Sequence, residues 1–146
     1  MTVEGGQLRK KRPVVQEVLG ALPQPALPAL DRPYGILVTG VGGTGVVTIG
    51  AILGMAAHIE GKGATVLDMA GLAQKGGSVY SHIRVAVRPE EIHAVRIAAG
   101  DARVVLGCDM IVAASDEAIA KMQSGATRAV INSDVSPTGT RPFCQA

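Results

Sequence analysis

The sequence predicts an α/β domain, with a mainly parallel sheet and helices on both faces. Three observations carry this reading. From residue 34 onward, short β-favouring apolar runs alternate with stretches compatible with helix. Glycines and prolines punctuate the junctions between them. The first of these junctions holds Gly40-Val41-Gly42-Gly43-Thr44-Gly45, which fits G-x-G-x-x-G and sits between a strand-like and a helix-like run.

Residues 1–33 differ in character from the rest of the chain. Arg9, Lys10, Lys11 and Arg12 form a basic run that reads as a solvated stretch. Pro23, Pro25, Pro28 and Pro33 then fall within eleven residues, which neither a helix interior nor a central strand tolerates. The segment 22–33 is therefore read as an extended linker, and the folded domain as 34–146.

Within the domain, Ile36-Leu37-Val38-Thr39 reads as a buried strand that ends at glycines. Val46 to His58 is long and rich in small residues, as expected of a helix packed on a sheet; Gly61 and Gly63 end it. Thr65-Val66-Leu67 is a second strand ending at Asp68, and a glycine-bearing loop runs from Met69 to Gly77. Val79 to Val87 alternates as a third strand, stopped by Pro89. Glu90 to Ile97 suits either a strand or a short helix. Asp101 to Leu106 reads as a capped helix ending at Gly107, and Met110 to Ala114 as a strand. Ser115 or Asp116 caps a further helix through Gln123, ended by Gly125, and Ala129-Val130-Ile131 is the last strand.

Composition excludes several function classes. The only aromatic residues are Tyr34, Tyr80 and Phe143, too few for a base-stacking platform. A net charge of +2 gives no electrostatic footprint for nucleic acid, and no nucleic-acid partner is expected. Cys108 and Cys144 alone cannot build an iron–sulfur or all-cysteine zinc site, and they suggest no secreted disulfide framework, so a reducing cytoplasm is expected. The apolar run Val46 to Ile59 is too short for a membrane span, and the polar N-terminus lacks the apolar centre of a signal peptide.

Two clusters carry candidate chemistry. In the Rossmann-like glycine loop, Gly40 is expected to permit a tight turn, Gly42 to let the main chain approach a ligand, and Gly45 to let the helix pack on the strand. Free N–H groups at the helix start then face an anion. Asp68, 23 residues after Gly45, stands where a dinucleotide site places its ribose-binding acid. A glycine loop also serves plain strand–helix packing, and no Walker lysine pattern is present. The second cluster is Lys75-Gly76-Gly77-Ser78, a cationic turn whose amides suit a phosphate or carboxylate, or else a surface turn.

The remaining polar residues point to structure. His58, His82 and His93 have no metal spacing, and Ser81 with His82 lacks a nucleophile elbow. Cys108 reads as a small buried residue, and Asp101, Asp109 and Asp116 as caps and turn formers.

Three stretches taken in order resemble a known family: Ile36 to Gly50 with the glycine loop, Leu67 to Ser78 with Ala73-Gln74-Lys75-Gly76-Gly77, and Leu106-Gly107-Cys108-Asp109. They are similar to the gamma domain of 2-oxoacid:ferredoxin oxidoreductases, most of all the long fused indolepyruvate type. The likeness runs from about Tyr34 to Asn132, and the stretch Ala26 to Pro33 resembles the linker before this domain. Such enzymes oxidatively decarboxylate a 2-oxoacid with coenzyme A and pass electrons to ferredoxin. The resemblance implies thiamine diphosphate, magnesium, 4Fe-4S clusters and coenzyme A for the whole enzyme, and none of them bound by this chain.

It also implies partners: the remaining thiamine and ferredoxin-like domains or subunits, and ferredoxin through the whole enzyme, with no membrane. Gly40, Gly42, Gly43, Thr44 and Gly45, then Lys75, Gly76, Gly77 and Ser78, become ligand-binding or interface residues, with no acid–base catalyst among them. Neither a G-D-G thiamine–metal motif nor a four-cysteine cluster run occurs in these residues. Thr140 to Ala146 departs from the family pattern. The chain is therefore expected to be a C-terminally truncated piece, inactive alone. Two other readings stay open: a dinucleotide-binding dehydrogenase domain, and a non-enzymatic assembly module.

Overall fold

A computed structural model describes Pro23 and residues 26–71 and 76–133. The basic run, Lys75, Cys144 and the segment 137–146 lie outside the described residues. Five strands form one sheet: β1 (Tyr34–Val41), β2 (Gly63–Ala70), β3 (Ser78–Ala86), β4 (Ala102–Gly107) and β5 (Arg128–Ile131). Three helices accompany them: α1 (Val46–Ile59), α2 (Met110–Ala113) and α3 (Asp116–Ile119). A 3₁₀ turn at Pro89–Glu91 follows β3. Residues 26–30 carry no regular secondary structure.

The class is α/β as expected, but the sheet is mixed rather than mainly parallel. Its order is β2-β3-β1-β4-β5. The β1–β4 and β4–β5 pairs are parallel, whereas β3 runs antiparallel to both β1 and β2. The cause is connection length. Only residues 71–77 join β2 to β3, too few for the crossover a parallel neighbour needs, so the chain turns straight back.

Each face of the sheet has its own core, because side chains alternate along a strand. On one face α1 covers Val38, Val79 and Ile83, with Val46 closing the cluster. On the other, Leu37, Ala102 and Val105 pack with Ile97 and with Ala118 of α3. Helical segments thus lie on both faces, the second served only by short turns.

Two expected elements exchange character. Residues 102–107, read from sequence as a helix, form β4; Val104, Val105 and Leu106 pair with β1 and β5 at the centre of the sheet. Central burial favours branched side chains, and Asp101, the supposed cap, instead ion-pairs with Arg84 at 3.1 Å. Residues 110–113, read as a strand, form α2. Asp109 starts it by accepting the Val112 N–H at 3.0 Å, from a side chain that is almost fully buried. α3 stops at Ile119 rather than Gln123, and β2 runs past Asp68 to Ala70. Ser115 caps α3 by accepting from Ala118 N–H, as expected.

Candidate functional site

β1 delivers the chain to the carboxyl edge of the sheet, where the glycine loop begins. The Thr44 N–H and hydroxyl both donate to the Val41 carbonyl, at 3.0 and 2.7 Å. Gly43 (φ 97°) and Gly45 (φ 89°) take left-handed conformations that side chains resist, and a Cβ at either would meet nothing within 4 Å. Gly45 is the N-cap of α1 and supplies no side-chain cap, so the first helical amides have no partner within the helix. Val41, Gly42, Gly43 and Gly45 to Thr48 line a shallow depression of about 290 Å³ together with Val79. Gly42 and Gly43 are exposed there, and Thr44 is exposed beside it. The Gly42 and Thr44 amides already donate to the Gly77 and Val41 carbonyls, so only the amides at the helix start are left without a partner in the helix.

The structure brings the two sequence clusters together. Antiparallel pairing of β1 with β3 sets Val41 opposite Ser78, and Gly42 N–H donates to the Gly77 carbonyl at 2.9 Å. Gly76, with φ 68°, completes the turn.

Gly40 plays a different part from the one expected. It is buried inside β1, and a Cβ there would lie 2.6 Å from Thr44 Oγ1, 2.8 Å from Val46 Cγ2 and 2.9 Å from Cys108 Cβ. Close helix–sheet packing thus falls to Gly40 and to Gly50, where a Cβ would sit 2.2 Å from Ser81 Oγ; Gly45 supplies conformation instead. Sequence reasoning misses Gly50. Its spacing with Gly54, four residues on, is the mark of a close helix face, and a Cβ at Gly54 would lie 2.6 Å from Val66 Cγ2.

Asp68 does not complete a dinucleotide site. In that arrangement the acid-bearing strand adjoins the first strand. Here β3 intervenes, and Asp68 is exposed on an edge strand about 10 Å, two strand spacings, from β1.

Behind the sheet, His82 is fully buried, and its Nδ1 accepts the Ile97 N–H at 3.3 Å. The proton of the neutral ring therefore sits on Nε2, which has no partner among the described residues. Burial pushes the His82 pKa down; Arg96 and Lys121 push the same way, against Glu117. Glu117 is held below the usual carboxylate range chiefly by its hydrogen bond from Arg96, 2.6 Å long. Cys108 is half-buried, and burial raises its thiol pKa, which disfavours a nucleophilic thiolate. Among the described residues no three His, Cys, Asp or Glu side chains converge to hold a metal ion, and no helix is long and apolar enough to cross a membrane.

Sheet, glycine loop and packed helix define an α/β domain with a glycine-rich turn at the carboxyl edge of its first strand. The pyruvate ferredoxin/flavodoxin oxidoreductase family matches residues 35–145, and the chain belongs to that family. It is 35% identical over 104 residues to indolepyruvate oxidoreductase subunit IorB of Methanothermobacter thermautotrophicus, covering 71% of this chain and 50% of that protein. It is 33% identical over 80 residues to the IorB subunit of Thermococcus kodakarensis, covering 55% of this chain and 38% of that one. The chain thus spans half the length, or less, of these relatives. Its fold is similar to that of pyruvate oxidoreductase subunit PORC from Thermotoga maritima, with a TM-score of 0.54 at 16% identity over 77% of this chain and 53% of that one.

Proposed function

We propose that the chain is the gamma-type accessory part of a 2-oxoacid:ferredoxin oxidoreductase of the indolepyruvate type. The whole enzyme then converts an arylpyruvate, coenzyme A and oxidised ferredoxin to an aryl-acetyl-CoA, carbon dioxide and reduced ferredoxin in the cytoplasm. The observation that carries this reading is the family match, which runs through both glycine clusters and is joined by 35% identity to an indolepyruvate oxidoreductase subunit.

The part this chain plays is structural and ligand-positioning. Thiamine diphosphate supplies carbanion chemistry and the iron–sulfur clusters carry electrons. The described residues do not fit either group: Cys108 is the one described cysteine, and no carboxylate set converges for magnesium. Those steps belong to the thiamine and ferredoxin-like parts. The chain contributes the joined loops Gly42–Gly45 and Gly76–Ser78, beside which the uncapped amides at the start of α1 suit an anionic group brought by cofactor or neighbour.

The outer face of α1 supports docking to those parts. Val47, Ile52, Met55 and Ile59 are all exposed, and the helix contains no Asp, Glu, Lys or Arg. A helix apolar on every side is normally covered on every side. The assembly reading and the accessory reading therefore meet on this surface.

Reconstitution tests the proposal. Mixing the chain with the thiamine and ferredoxin-like parts should restore indolepyruvate-dependent ferredoxin reduction, and full activity without the chain refutes the role. The double variant Ile52→Glu/Met55→Glu should melt within roughly 0.5 kcal/mol of the parent, being exposed. Its assembly, followed by size exclusion and by restored activity, should weaken by about 100-fold. Undiminished assembly removes α1 as the docking face.

A further inference from the structure

The opposite end of the sheet from the glycine loop holds a second concave site. Its floor is the amino ends of β4 and β5, and its wall is the segment 26–34. Local bonding fixes the floor: the Thr127 hydroxyl donates to the Ala102 carbonyl at 2.6 Å and accepts the Gln123 N–H at 2.8 Å. This staple holds the turn before β5 against β4, so Arg103 and Arg128 reach one cavity of about 480 Å³ with Arg32 from the wall.

The distribution of charge singles these three residues out. Lys62, Arg84, Arg88, Arg96 and Lys121 each lie within ion-pairing distance of a carboxylate. Arg32, Arg103 and Arg128 are the other described cations; none has a carboxylate partner among the described residues, and all three line this cavity. Among the described residues Asp31 is the one acid of the lining, and it forms no ion pair with them. Three guanidinium groups against one carboxylate leave a net local charge of +2.

We propose that this cavity binds a small organic phosphate monoester. A phosphate monoester carries a charge of about −1.5 to −2 at neutral pH and matches the excess, whereas a monocarboxylate leaves half of it uncompensated. Planar guanidinium forks grip phosphate oxygens in pairs. Leu27, Pro28 and Tyr34 offer an apolar wall for the organic part, which favours an ester over inorganic phosphate. The site lies about 25 Å, the length of β1, from the glycine loop, so it stands apart from the function proposed above.

The test is titration of the full 146-residue chain, ¹⁵N-labelled, at constant ionic strength. The probes are adenosine monophosphate, glycerol 3-phosphate, inorganic phosphate and acetate, the first two separating nucleotide from sugar-type esters. At least one ester should give saturable shifts of the amides around Arg32, Arg103 and Arg128, tighter than inorganic phosphate, with no saturation by acetate. Arg103→Gln and Arg128→Gln should each weaken binding about tenfold. Arg128 is exposed, so its variant should keep the fold even if loss of Arg103 does not, and Arg103→Lys separates fork from charge. Arg88→Gln, which does not line the cavity, should bind as the parent does. The proposal is overturned if neither ester saturates, if acetate or inorganic phosphate binds as tightly as the esters, or if binding survives Arg128→Gln unchanged.

Discussion

Gly40→Ala is expected to lower the stability of this domain by about 2–3 kcal/mol, a fall in Tm of roughly 10–20 °C for a domain of this size. The added methyl has no room. It would press at once on the Thr44 hydroxyl, on Val46 at the start of α1, and on Cys108 after β4, all within 3 Å. Relief requires breaking the Thr44–Val41 hydrogen bond or lifting α1 off the sheet, which opens the cluster of Val38, Val46, Val79 and Ile83. Gly43→Ala is the matched comparison. It meets nothing within 4 Å and bears only the cost of its left-handed backbone, about 1 kcal/mol. Urea denaturation of the two variants checks the order, and equal midpoints would show that packing over Gly40 is looser than the geometry implies.

Acid should weaken the fold through His82. Its folded-state pKa lies below the ordinary value near 6.5, first because it is buried and then because Arg96 and Lys121 oppose a further positive charge. Between that depressed value and 6.5 the unfolded chain holds a proton that the folded chain does not. Stability from this group is therefore complete above pH 6.5 and falls as pH drops below it, by at most about 1.4 kcal/mol per pH unit, levelling off beneath the folded pKa. Geometry agrees, since protonation places a hydrogen on the Nδ1 that must accept from Ile97. His82→Asn keeps an acceptor but cannot titrate. Denaturation curves between pH 7.5 and 5 should show a shallower slope for this variant, and parallel slopes would exclude His82 as the source.

Much of the frame is legible in the sequence because its cues are local. Ile36 to Thr39, Val46 to His58 and Val79 onward each announce their element by branched or small apolar residues bounded by glycine or proline, and the structure keeps all three. The two exchanged elements failed for a shared reason. A mainly apolar run of about five residues after an aspartate fits a capped helix or a buried strand equally well, and tertiary position decides. Asp109 caps because the chain has just left the sheet at Gly107; Asp101 does not, because Arg84 on β3 claims its carboxylate.

Within the candidate site, the glycines were legible and their meeting was not. It depends on the register of Val41 with Ser78, a pairing across 37 positions that no local pattern encodes. The arginine cavity was hidden for the same reason, since Arg32, Arg103 and Arg128 come together only after β4 and β5 pair.

The single hydrogen bond from Gly42 to Gly77 makes the two glycine turns thermodynamically reciprocal. A ligand or neighbour that pulls the Gly76–Gly77 turn away deprives the first loop of that tie. Whatever seats itself in the first loop with the bond intact holds the second turn in place by the same free energy. Under the proposed function, a ligand held at one turn would therefore be coupled directly to the other, across a contact of 2.9 Å.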